Sequence, residues 1–147
     1  MRTDEQKKQF EYVVATYTPA WDKYLAKGLQ ALTETERTLL AVWVVDAEVN
    51  NGGFDQYFFN SSGDLAPETP SALERIGAPR AAALLRRAIE RFPDAQPAST
   101  QTARHDQLEA LRLDDDESIF EDLDESWFVD IEDLELQLAH YLRRQTA

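Results

Sequence analysis

Apolar residues recur at helical intervals from one end of the chain to the other, and no stretch alternates with a period of two for long enough to make a sheet. Between Asp4 and Tyr17, the residues Phe10, Val13, Val14 and Tyr17 fall at i, i+3, i+4 and i+7, the stripe of an amphipathic helix. A second helix is expected next, capped by Thr18, with Pro19 at its first position and Gly28 as its stop. Thr33 and Glu36 form a T-x-x-E capping box at the head of a third. There Leu39 to Val45 is apolar on nearly every face, which places this helix at the centre of the core. Its "VWVV" run would also suit a buried strand, but the cap, the length and the lack of a strand partner favour helix. Further helices are expected over "ETPSALERIG", ended by Gly77, from Pro79 to before Pro93, from Arg104 to Leu111, from Glu117 to Phe128 and from Ile131 to Arg144. The pattern predicts an all-α, single-domain bundle over 1–147, with about seven or eight helices around the apolar one.

One stretch breaks this rhythm. "NGGFDQYFFNSSGD", Asn51 to Asp64, holds three of the five glycines and four of the twelve Phe and Tyr residues. Asn-Gly between strands would signal a hairpin, but here the flank is a capped helical run. The better reading is a joint between helical segments. Gly52 or Gly53 takes a left-handed conformation that closes the helix. Phe54, Tyr57 and Phe58, at i, i+3 and i+4, then plug into the core. Asn51, Gln56 and Asn60 are expected to bond the freed backbone groups. Two functional readings compete. Glu48, Asn51, Asp55 and Asp64 could hold a hard cation or form a hydrolytic carboxylate pair, though no spacing matches an ion loop. Alternatively, Phe54–Phe59 could be the exposed interface of an adaptor or immunity-type protein.

Composition removes several chemistries. The chain has 147 residues and no cysteine, which excludes disulfides, thiolate metal sites and a Cys nucleophile. Its two histidines, His105 and His140, have no ligand-like spacing, so neither a metal nor another cofactor is expected. No apolar run approaches a membrane span, and "MRTDEQKKQF" lacks a signal-peptide core, so the expected location is cytoplasmic.

Charge changes the picture most. The net charge is −13, from 28 acids and 15 bases. Residues 114–135, "DDDESIFEDLDESWFVDIEDLE", carry 12 acids and no base, whereas residues 1–113 are nearly balanced. The acids are Asp114, Asp115, Asp116, Glu117, Glu121, Asp122, Asp124, Glu125, Asp130, Glu132, Asp133 and Glu135. Such a surface repels nucleic acid and attracts basic partners. Twenty-two helical residues would span roughly 33 Å, about one carboxylate per 2.7 Å. Duplex DNA presents about one charge per 1.7 Å, or one per 3.4 Å along each strand. The helical wheel puts Ile119, Phe120, Leu123 and Trp127 on an apolar face, with Glu117, Glu121, Asp124 and Glu125 opposite. In the last helix Ile131, Leu134, Leu138, Tyr141 and Leu142 face inward, and Glu132, Asp133 and Glu135 lie off that stripe. A solvated face without a partner gives the same pattern, and acids at helix starts also suit the macrodipole. A basic stripe of Arg80, Arg86, Arg87 and Arg91 could pair with these acids in the same chain or in a second copy.

"EVNNGGFDQYFFNSSGD", followed by "ALERIGAPRAAALLRRAI", resembles the signature of the DNA-mimic protein family, a group otherwise known as a domain of unknown function. The matching positions are Glu48, Asn51, Gly52, Gly53, Phe54, Gln56, Tyr57, Phe58, Asn60, Gly63, Asp64 and Ile76–Ala78, within a signature-bearing core over residues 33–92. The resemblance implies an all-helical domain, commonly a homodimer, without a catalytic residue. It further implies an acidic surface that occupies a DNA-binding transcription factor. The expected function is therefore non-enzymatic binding of a basic protein partner through the acidic residues of 114–135.

Overall fold

The computed structural model describes residues 1–112 and 119–146. Among the described residues there are seven α-helices and no strand. They are α1 (Asp4–Lys27), α2 (Glu34–Phe59), α3 (Thr69–Arg75), α4 (Pro79–Ile89), α5 (Gln101–Arg112), α6 (Glu121–Asp130) and α7 (Leu134–Thr146). The expected all-α bundle around a central apolar helix is what forms. Leu39, Leu40, Val45 and Val49 of α2 are fully or almost fully buried, and α2 packs against α1, α3, α5, α6 and α7.

Thr33 and Glu36 do form the capping box. The Glu36 N–H donates to Thr33 Oγ1 at 3.1 Å, and the Thr33 N–H donates to Glu36 Oε1 at 2.9 Å. Thr3 and Gln6 build a second box at the head of α1. The break expected at Thr18–Pro19 is absent, because α1 runs through Pro19 to Lys27. A proline in a helix removes one N–H and crowds the carbonyl four residues back, here that of Ala15. Both Pro19 and Ala15 are exposed, so the defect opens to water. Val13 and Ala20, on the other side, keep the buried stripe continuous. The Thr18 hydroxyl, read as a cap, instead donates back to the Val14 carbonyl at 3.0 Å.

Two other boundaries move for the same kind of reason. Helix α5 starts at Gln101, before the expected Arg104, since Thr100 Oγ1 accepts from the Ala103 N–H at 3.3 Å. Helix α7 starts at Leu134, after the expected Ile131. Ile131 is extended, and Asp133 Oδ1 caps the first turn by accepting from the Leu136 N–H at 3.1 Å. The expected start of the acidic helix, at Glu117, lies outside the described residues.

Helix α2 bends at the two glycines. Gly52 has φ −152° and ψ 20°, and Gly53 has φ 75° and ψ −178°. This is not the left-handed helix stop expected there. The chain takes one extended step at positive φ, which favours glycine, and resumes helix at Phe54. The kink aims Phe54, Tyr57 and Phe58 into the core, where all three are fully buried. Phe54 meets Trp127 edge-on at 5.4 Å between centroids, while Phe58 meets Phe92 at 4.7 Å and Phe120 at 5.5 Å.

Candidate functional site

The segment from Phe54 to Phe59 is a short helix with two ends to satisfy. At its start the Phe54 N–H donates to Asp124 Oδ1 at 2.8 Å, so a carboxylate from α6 caps it. At its end three carbonyls meet side chains of α5. Arg104 Nε donates to the Phe58 carbonyl at 2.8 Å, and its Nη2 to that of Asn60 at 2.9 Å. Gln101 Nε2 donates to the Phe59 carbonyl at 3.1 Å. His105 Nε2 also contacts that oxygen, at 2.6 Å. Arg104 is fully buried, and it completes its bonds with the Ala98 carbonyl at 3.0 Å and Asp64 Oδ1 at 2.7 Å. A cation at a helix C-terminus also suits the macrodipole.

Asn51, Gln56 and Asn60 do not take the expected backbone role. Gln56 Nε2 and Asn60 Nδ2 both donate to Glu48 Oε2, at 2.8 and 3.0 Å, while Asn51 is exposed. Backbone satisfaction comes from α5 and α6 instead. Gly63 is part of the same construction: a Cβ there would lie 2.6 Å from Arg104 Nε.

This geometry removes both rival readings of the joint. Phe54, Tyr57 and Phe58 are core residues. Only Phe59 is exposed, at 44 %, and it stacks on His105 with centroids 3.9 Å apart. The adaptor interface expected at Phe54–Phe59 therefore has no exposed aromatic cluster. The proposed hydrolytic carboxylates are engaged separately: Glu48 with the two amides, Asp55 with Arg112, Asp64 with Arg104. Among the described residues, no group of three or more His, Asp or Glu side chains could hold a metal ion.

The acidic segment divides into two sets. Asp114, Asp115, Asp116 and Glu117 lie outside the described residues. Asp124, placed by the helical wheel on the outer face, is half-buried under Gly53 and Phe54. Its carboxyl is raised above its ordinary value by desolvation, against the pull of the Phe54 N–H bond. Glu132 caps α4, accepting from the N–H groups of Arg80 at 2.8 Å and Ala81 at 3.1 Å. Desolvation would raise it, but hydrogen bonds from the Arg80, Glu132 and Ala81 N–H groups and the Arg80 side chain outweigh this and hold it low. Glu135 accepts from Arg2 at 3.1 Å. These three acids are structural.

The second set is outward. Glu121, Asp122, Glu125, Asp130 and Asp133 are exposed. Asp122 makes a two-pronged pair with Arg91, both bonds at 2.9 Å, and this hydrogen bonding lowers its carboxyl. The arginine stripe is thus partly consumed within the chain: Arg80 by Glu132, Arg91 by Asp122, and Arg86 by Glu74. Among these acids stand two exposed apolar residues, Phe128 at 55 % and Val129 at 77 %. The sequence pattern showed neither their exposure nor Arg104.

No helix among the described residues is long and apolar enough to cross a membrane. No curated protein and no solved structure matches the chain. The DMP19-like protein family matches residues 30–145, from before the capping box of α2 almost to the end of α7. The chain belongs to the DMP19-like protein family.

Proposed function

We propose that the protein is a non-enzymatic DNA mimic that occupies the DNA-binding surface of a basic partner, a transcription factor. The family is one of DNA mimics, and 12 of the chain's 28 acids lie in residues 114–135 without a base among them. Charge alone describes a solvated face as well as a binding one. The observation that carries the reading is the pair Phe128 and Val129, exposed between Glu125 and Asp130. Two adjacent exposed apolar side chains among acids match the way protein interfaces set apolar anchors within a polar rim. Acids steer a basic protein in, and the apolar pair holds it.

The experiment is capture of the partner from an extract of the source cells at low salt, followed by elution in a salt gradient. The captured protein should bind DNA and elute early in the gradient. The triple variant E121Q/E125Q/D130N and the single variant F128A should each lose it, and F128A should do so while keeping the melting temperature. Retention of the partner by both variants would place the interface elsewhere.

A further inference from the structure

A cleft of about 450 Å³ opens between α1, α2 and the Ser61–Leu65 turn, away from the segment that carries the acidic residues. Tyr17, Trp21 and Tyr24 of α1 and Trp43 of α2 line it, with Glu48 and Asn60 among its polar groups. The rings form a continuous row: Trp43 to Tyr17 at 5.5 Å between centroids, Tyr17 to Trp21 at 5.9 Å, Trp21 to Tyr24 at 5.6 Å. All four are only partly buried. Glu48 receives both amide bonds on Oε2, at 2.8 and 3.0 Å, which fixes the carboxylate and leaves Oε1 without a donor among the described residues.

Ring faces are the negative side of the aromatic quadrupole, and a fixed carboxylate beside them adds a full negative charge. Among the described residues, no lysine or arginine lines the cleft. At the other end of the same row the chain supplies its own cation. Arg2 sits over the Phe10 ring at 4.3 Å and bonds Glu135 at 3.1 Å, and Phe10 lies 5.9 Å from Trp43. One end of the row thus holds a guanidinium between a ring and a carboxylate. The cleft repeats those two components without a cation from the chain. Nearby acids add to this: burial first, then the charges of Asp64 and Glu68, raise the Tyr24 phenol.

We propose that this cleft is a binding site for a small organic cation, an alkylammonium or guanidinium compound, held over Trp21, Tyr17 and Trp43 with its charge against Glu48. The volume is in the range of small-ligand sites, roughly 300–1,000 Å³. The site does not depend on the acidic face.

Choline and methylguanidinium are the probes, with 3,3-dimethylbutan-1-ol as the neutral counterpart of choline. Each is titrated into the full chain and followed by tryptophan fluorescence and by thermal shift. Saturable binding of at least one cation is expected, with the neutral alcohol weaker by roughly tenfold or more. Glu48→Gln should remove most of that preference. Because Glu48 also holds Gln56 and Asn60, Trp21→Leu is the second variant, read through the tryptophans that remain and by melting. It should weaken the cation at temperatures well below the variant's own unliganded melting point. Absence of saturation with both cations, equal response to the neutral alcohol, or unchanged binding in Trp21→Leu would each overturn the proposal.

Discussion

Asp124 caps Phe54 from seventy residues away: the carboxylate of an acidic helix accepts, at 2.8 Å, the first N–H after the glycine kink of the central helix. A residue that reads as part of a charged outer face is thereby a structural residue of the joint. Replacing it with alanine leaves a half-buried N–H unpaired and should cost about 1–2 kcal/mol. Glu125→Gln, on the next residue, should stay within about 0.5 kcal/mol of the parent. Urea denaturation of the two variants gives the comparison.

Gly53 faces the same carboxylate. A Cβ there would lie 2.4 Å from Asp124 Oδ2, on a backbone with φ +75°. Gly53→Ala should therefore destabilise by roughly 2 kcal/mol or more. At Gly77, also at positive φ, the nearest atom is the flexible end of Gln137 at 3.3 Å. Gly77→Ala should cost less, and thermal melts of the pair would show the order.

Arg104 holds the carbonyls of Phe58, Asn60 and Ala98, and it is fully buried. Arg104→Leu strands these acceptors and removes the partner of Asp64, a loss of about 3–5 kcal/mol. Arg104→Lys should recover little, because an ammonium cannot reproduce the planar fork that serves three carbonyls. Chemical denaturation of both variants tests this.

Within the acidic segment, two carboxyls should titrate in opposite directions. Glu132 is held low by its N–H bonds despite desolvation, so its contribution to stability is complete above its unfolded pKa and is lost as pH falls through the lower folded value. Asp124 is raised by desolvation, so the folded state takes its proton first. Stability from this group falls as pH rises from its unfolded value through its raised folded one. Carboxyl carbon NMR should show Asp124 titrating above the ordinary aspartate range and Glu132 below the ordinary glutamate range.

Local signals carried most of the fold. The Thr33–Glu36 box, the Pro79 start of α4 and the apolar run from Leu39 to Val45 are short-range features whose physics lies within one or two turns. Pro19 misled because its effect depends on which side of the helix faces water, and that is settled by the packing of α1. Asp124 and Glu132 misled because a helical wheel assigns faces on one helix alone. It cannot show that a neighbouring helix ends there with bare N–H groups. Arg104 carries no local mark at all, since its partners lie forty or more residues earlier and in the Ala98 turn. Phe128 and Val129 follow the core residue Trp127 directly, and only the pose of α6 shows that they point outward.

The most direct measurement is competition on the captured partner. The partner is bound to its labelled operator DNA, the protein is added in increasing amounts, and mobility shifts are recorded at several salt concentrations. A DNA mimic releases the DNA completely, forms no ternary complex and weakens steeply as salt rises, and E121Q/E125Q/D130N loses the effect. A ternary complex, or displacement that is indifferent to salt and to those three substitutions, would contradict the account.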